Sequence, residues 1–157
     1  MTKDEYEELD EEGKAAEKMY EEYLIKDGWS CRKTKPKDPD EPYDYQITDG
    51  CWGDKKNIEI KSYGSPELGT IFAETVQISD KYKIKSTPEY LSHPDKIDEM
   101  IYVDQQGKRA LIYDMKKFAA FVESIKYLER YNTTETAKGV VISEKSSMIG
   151  YIKTIYL

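Results

Sequence analysis

Three residues in the first half of the chain have the types and spacing for hydrolytic chemistry. Asp44 stands in Tyr43-Asp-Tyr-Gln-Ile47, and Glu59 and Lys61 stand in Asn57-Ile-Glu-Ile-Lys-Ser62. Both segments alternate with period two, so as strands each sends its apolar residues to one face and its polar residues to the other. If the two pair as a hairpin, Asp44, Glu59 and Lys61 emerge together opposite the core face. Two carboxylates at close range repel unless one takes a proton or a cation lies between them. A divalent cation with oxygen ligands resolves that repulsion, and the Ile60 carbonyl can supply a further ligand. Lys61 beside it can hold or deprotonate an attacking water, an arrangement suited to phosphodiester hydrolysis. The tripeptide alone carries no weight, since an acid two residues before Lys also occurs at Glu12, Asp54 and Asp114. The same alternation also describes any half-solvated antiparallel strand.

The flanking elements give these residues context. Ala16, Met19, Tyr20, Tyr23 and Leu24 form one apolar stripe at helical spacing, and Asp27-Gly28 ends that helix. At about 100° per residue Glu17 falls about 20° beyond Leu24, at the edge of the stripe. From there it can reach into a cleft, although a surface Glu beside a helix stripe reads equally well. Trp29 to Thr34 suits a short strand, and the three prolines between Lys35 and Pro42 exclude regular structure. Thr48 to Lys56 suits a hairpin loop. Thr70 to Ile78 is a further strand, 79–97 reads as irregular or short helix, and Met100–Val103 with Ala110–Tyr113 reads as a second hairpin. Phe118, Phe121, Val122, Ile125 and Leu128 mark a core-facing helix. Gly139–Ser143 and Met148–Leu157 offer one or two last strands.

Composition narrows the function. The 157 residues suit one domain, and the formal charge is -7. A single His93 makes His-rich metal sites improbable, and Cys31 and Cys51, twenty residues apart without a CxxC, read as reduced thiols. No run approaches the roughly 20 apolar residues of a membrane span, and the acidic start is unlike a signal peptide, so a cytoplasmic protein is expected. Residues 1–12 carry -6 of the total, so they read as an acidic N-terminal extension before one domain over 13–157. The basic candidates for nucleic-acid binding are Arg32, Lys33, Lys35 and Lys37, then Lys55 and Lys56, then Lys81, Lys83 and Lys85. Trp52, in the hairpin loop, is a candidate for stacking on unpaired bases.

The order of helix with Glu17, strand with Asp44, strand with Glu59-x-Lys61, further strand, hairpin and helix resembles the PD-(D/E)xK nuclease superfamily over roughly residues 13–129. Gly13-Lys-Ala-Ala-Glu17 followed by Leu24 to Trp29 is similar to the first helix of its Holliday-junction-resolvase-like branch. Gly69-Thr-Ile-Phe-Ala-Glu74 is similar to the Thr-Gly-Asn-hydrophobic-Glu segment of small phage-type members, here without the Gly after Thr70. Asp98 to Val103 resembles their Ala-Asp-aromatic strand. The resemblance implies an α/β fold with a restriction-endonuclease-like αβββαβ core, its central mixed sheet flanked by helices. It also implies a Mg²⁺-dependent DNA nuclease, with Mn²⁺ as a possible substitute, an endonuclease rather than an exonuclease, and a possible homodimer. Asp44 and Glu59 would bind metal, Lys61 would position the nucleophile and Glu17 would assist. The literal Pro-Asp is Pro39-Asp40, which makes Asp40 the runner-up to Asp44. A non-catalytic module binding nucleic acid or protein is the alternative on the same fold.

Overall fold

The computed structural model describes residues 3–36, 38–78 and 84–157, with side chains from Glu11 onward. In chain order the elements are helix α1 (Lys3–Lys26), strands β1 (Trp29–Lys33), β2 (Tyr45–Asp49), β3 (Lys55–Ser62), β4 (Thr70–Ile78) and β5 (Lys85–Ser86), and the single turn α2 (Glu89–Ser92). They continue with β6 (Glu99–Asp104), β7 (Arg109–Asp114), α3 (Met115–Ile125), β8 (Arg130–Tyr131), β9 (Ala137–Ser143) and β10 (Tyr151–Tyr156). Helix α1 runs through Gly13 without a break, so the acidic stretch and the apolar stripe belong to one element. Gly28, at φ +90°, ends it in the left-handed conformation that favours glycine.

A six-stranded mixed sheet lies at the centre, in the order β1-β2-β3-β6-β7-β10, with β3 and β6 parallel and the other pairs antiparallel. Residues 70–78 do not join it. They pair with β9 in a second, antiparallel sheet of order β5-β4-β9-β8. Helix α1 covers one face of the central sheet, where Ala16, Tyr20 and Leu24 meet Tyr45, Ile47, Ile58 and Ile60. The other face carries Met100, Tyr102, Leu111 and Tyr113 against α3 and the inner face of the second sheet, including Ile71, Ala73, Val140 and Ile142. Strands β6 and β7 are buried on both faces, which explains their near-continuous apolar sequence.

Four tyrosines bind these layers with their hydroxyls. Tyr90 donates to the Glu74 carbonyl and Tyr102 to the Phe72 carbonyl, both on β4. Tyr113 donates to the Glu144 carbonyl, and Tyr63 to the Glu144 carboxylate at 2.6 Å. Arg109 reaches that carboxylate at 3.2 Å while its Nε holds Asp104 at 2.9 Å. Phe118 packs against the rings of Tyr90, Tyr102 and Tyr113.

Several boundaries differ from the sequence reading. Asp44 precedes β2 rather than lying within it, and Lys55 and Lys56 begin β3 rather than sitting in the loop. Helix α3 ends at Ile125, and a 3₁₀ turn follows, leaving Leu128 at 59% exposure instead of in the core. The tighter turn breaks the 3.6-residue periodicity that would have carried Leu128 inward. Lys37, Lys81 and Lys83 lie outside the described residues.

Glu144 sits below the usual carboxylate range: burial pushes it up, but the Tyr63 hydroxyl and the Arg109 guanidinium outweigh burial. Its contribution to stability is therefore present above about pH 4.3 and lost as pH falls through its lowered folded-state value. Glu144→Gln is expected to cost about 2 kcal/mol at pH 7, with a smaller difference from wild type in acid, read by urea unfolding at both pH values.

Candidate active site

Strand β3 carries the centre of the site. Ile58 and Ile60 face α1, so alternation turns Glu59 and Lys61 to the opposite face of the sheet. That face is not open solvent, because the second sheet stands over it, and the two side chains are half-buried. Asp44 is held by its main chain, which donates to the Ile58 carbonyl at 3.0 Å, and by Thr34, which donates to the Asp44 carbonyl. Its carboxylate accepts from the Ile60 N–H at 2.7 Å, taking the place of the next ladder carbonyl. The Ile60 carbonyl lies on this same edge of β3, two residues beyond the Ile58 carbonyl and past the last paired residue of β2.

The acidic groups share one field. Burial drives Glu59 well above the usual carboxylate range; Lys61 opposes this, while the Asp44 charge, a hydrogen bond to Asp44 and the Glu17 charge reinforce it. Burial and the neighbouring carboxylates thus favour the protonated form of Glu59 over the charged one. Burial and Asp44 also raise Glu17, against the pull of Lys33 and Lys61, and the Lys33 ammonium lies 3.1 Å from the Glu17 carboxylate. Burial alone would lower the Lys61 ammonium, but Glu59, Glu74, Asp44 and Glu17 outweigh it and raise the group. Lys61 is therefore a hydrogen-bond donor that can hold a water or a phosphate oxygen, not a base at neutral pH in this state.

Glu17, Asp44 and Glu59 line a cleft of about 390 Å³ with Lys33 and Lys35. Six of the charged residues around it are acidic and three are basic, a balance that favours a cation over a bare phosphate. Three carboxyls and the Ile60 carbonyl are an all-oxygen donor set, which suits a hard divalent ion. Among the described residues, no three such side chains already converge as a cage. Glu17 is turned to Lys33, and Asp44 is engaged with Ile60 and Glu59. Asp40 lies exposed in the preceding turn and does not line the cleft.

A second cleft, about 740 Å³, adjoins the first at Gly13 and receives Lys61 together with Glu74 of β4. Glu74, the last residue of the segment similar to the phage-type motif, is brought within electrostatic reach of Lys61 by the turn through 63–69 and the tyrosine bonds to β4. Arg130 also lines this cleft. It lies 69 residues beyond Lys61 in number, in a two-residue strand without pattern, so no sequence signal marked it.

The remaining basic candidates are mostly engaged or remote. Arg32 is paired with Glu41, and Lys56 with Glu99 at 3.4 Å. Lys55 and Lys56 stand at the start of β3, about 13 and 10 Å along the strand from Glu59, and the exposed Trp52 precedes them in the loop. Only Lys33 and Lys35 of the described candidates border the carboxylate cleft.

No protein-family model matches the chain, and no curated protein matches it. Among solved structures, the chain is similar to a bacterial homing endonuclease, I-Ssp6803I, at 14% identity and a TM-score of 0.54. The likeness covers 89% of this chain and 85% of that one. At that identity it shows a shared fold, an α/β architecture around a central mixed sheet. Among the described residues no helix is long and apolar enough to cross a membrane.

Because Glu59 is raised in the folded state, its ionisation costs the fold stability: the cost is absent below about pH 4.3 and sets in as pH rises through the folded-state value. Glu59→Gln is expected to raise the melting temperature of metal-free protein by a few degrees at pH 8, about 1 kcal/mol in a domain of this size. The gain should vanish at pH 4, as read by calorimetric melts in chelator.

Proposed function

We propose that this protein is a metal-dependent DNA endonuclease of the PD-(D/E)xK type, hydrolysing phosphodiester bonds with Asp44, Glu59 and Lys61. The observation that carries this reading is the half-buried Glu59 carboxyl lining one cleft with Asp44 and Glu17, with Lys61 two residues on along the same strand face. Such a grouping of carboxyls destabilises the fold without a cation, and sites that tolerate such a cost are commonly functional. The fold shared with a homing endonuclease adds support, since the likeness extends over most of both chains.

Asp44, Glu59 and the Ile60 carbonyl would hold Mg²⁺ or Mn²⁺, with Glu17 as a further donor. When bound, the ion would offset charge on the phosphate and ease deprotonation of water. For all three carboxylates to donate, Glu59 must release its proton and Glu17 must leave Lys33. Lys61 would hold the nucleophilic water or a phosphate oxygen through its ammonium hydrogens, while Lys33 and Lys35 at the rim would meet the flanking phosphates. A homodimer, which would present two such sites to a duplex, belongs to the same reading.

Labelled duplex, branched and single-stranded DNA incubated with Mg²⁺ or Mn²⁺ tests it. Wild type is expected to cleave, and Glu59→Ala and Lys61→Ala each to lose at least about a hundredfold in kcat/KM. Calorimetric titration of Mg²⁺ is expected to show a site that weakens as pH falls and disappears in Glu59→Ala. Absence of any metal-dependent cleavage by wild type overturns the enzyme reading and leaves a binding module.

A further inference from the structure

The outer face of the second sheet has a composition that hydrolysis at Glu59 does not require. Glu74 of β4, Gly139 of β9 and Arg130 of β8 are direct neighbours across three strands and so point to one face. With strands about 4.8 Å apart, the Glu74 and Arg130 backbones lie roughly 10 Å apart, with no side chain between them. The ring of Phe72 reaches over that gap: a Cβ built on Gly139 would lie 2.5 Å from the Ala73 carbonyl oxygen and 2.7 Å from the Phe72 ring, so glycine at this position makes room for the ring. Val141, opposite Phe72 and 43% exposed, extends the apolar surface in the next row. Arg130 is exposed and forms no ion pair among the described residues.

All of these except Gly139 line the 740 Å³ cleft, whose inner end is formed by Lys61 and Glu74. A ring over the sheet, with an exposed guanidinium in the same cleft, meets the two needs of an unpaired nucleotide. The ring offers its face to a base, and the guanidinium offers paired donors to the adjoining phosphate. A duplex cannot use such a surface, because its base faces are already stacked. The cleft is large enough for a ligand of nucleotide size. Glu12 and Glu74 are its acidic walls, and they oppose a strand that runs its phosphates along them rather than along Arg130.

We propose that Phe72 and Val141 with Arg130 form a stacking platform for an unpaired DNA nucleotide, leading a single-stranded segment toward Lys61. The proposal deepens the nuclease reading and rests on it for the direction of the strand. It assigns the substrate class as DNA with an unpaired stretch beside the cut, such as a flap, a bubble or a branch.

Fluorescence anisotropy of a short fluorescein-labelled thymidine strand tests the platform at fixed salt and in chelator, so that no cleavage occurs. A duplex of equal length serves as the second probe. Wild type is expected to bind the strand, and Phe72→Leu, Arg130→Ala and Val141→Glu each to weaken it about tenfold, within the range for one stacked base. Duplex affinity should change less than twofold. Thermal melts accompany each variant; if Phe72→Leu does not fold, the two exposed-site variants decide alone. No strand binding by wild type, unchanged affinity in the variants, or equal losses on strand and duplex overturns the proposal. Strand binding that depends on these residues, in a protein that cleaves nothing with Mg²⁺, sustains the platform and removes the nuclease reading.

Discussion

The structure depends on a polar seam between two apolar layers. Among the described residues the second sheet shares no strand ladder with the central one, so hydrophobic contact alone would let the two slide. Tyrosine hydroxyls from α2, β6 and β7 prevent this by donating to carbonyls on β4 and at Glu144, and buried carbonyls that lose such donors are costly. Each bond fixes a register, which dispersion cannot do. The chain's fourteen tyrosines thus include a structural set, whose rings fill the core while their hydroxyls tie the layers together.

This seam sets the geometry of the cleft. Tyr90 and Tyr102 hold the main chain of β4 at Glu74 and Phe72, the two residues that turn toward Lys61 and toward Arg130. Tyr63 and Arg109 converge on Glu144 just beyond β9 and fix the other side. The carboxylate centre is built differently. Asp44 is positioned by main-chain bonds to β3 and β1, and Glu59 by the pleat of a strand whose alternate residues are buried under α1. Their repulsion is a local cost that the two cores outweigh, and it favours the protonated form of Glu59.

Charge is distributed in keeping with this arrangement. The net -7 looks hostile to a polyanion, yet most of the excess lies in the first half of α1, before Gly13. Within the clefts, carboxylates gather around Asp44 and Glu59, while Lys33, Lys35 and Arg130 also line the walls. The long-range field and the local field have different sources, so the net charge is a poor guide to the local one.

Periodicity in the sequence determined the first helix, the hairpins β2–β3 and β6–β7, the final helix and the choice of Asp44, Glu59, Lys61 and Glu17 as neighbours. Such features are local: a period of two or 3.6 records which face is buried, and one hairpin brings residues sixteen apart together. What only the tertiary structure decided is how distant segments meet. Alternation in 70–78 says nothing about its partner, and the pairing with β9 rather than with the central sheet moved Glu74 and Phe72 to a second layer. Basic runs reveal charge but not its neighbours, so Arg32 and Lys56 were engaged by Glu41 and Glu99 while the solitary Arg130 bordered the cleft. The exposed face at Glu59 became a half-buried one for the same reason, since its cover comes from segments that no short-range pattern connects to it.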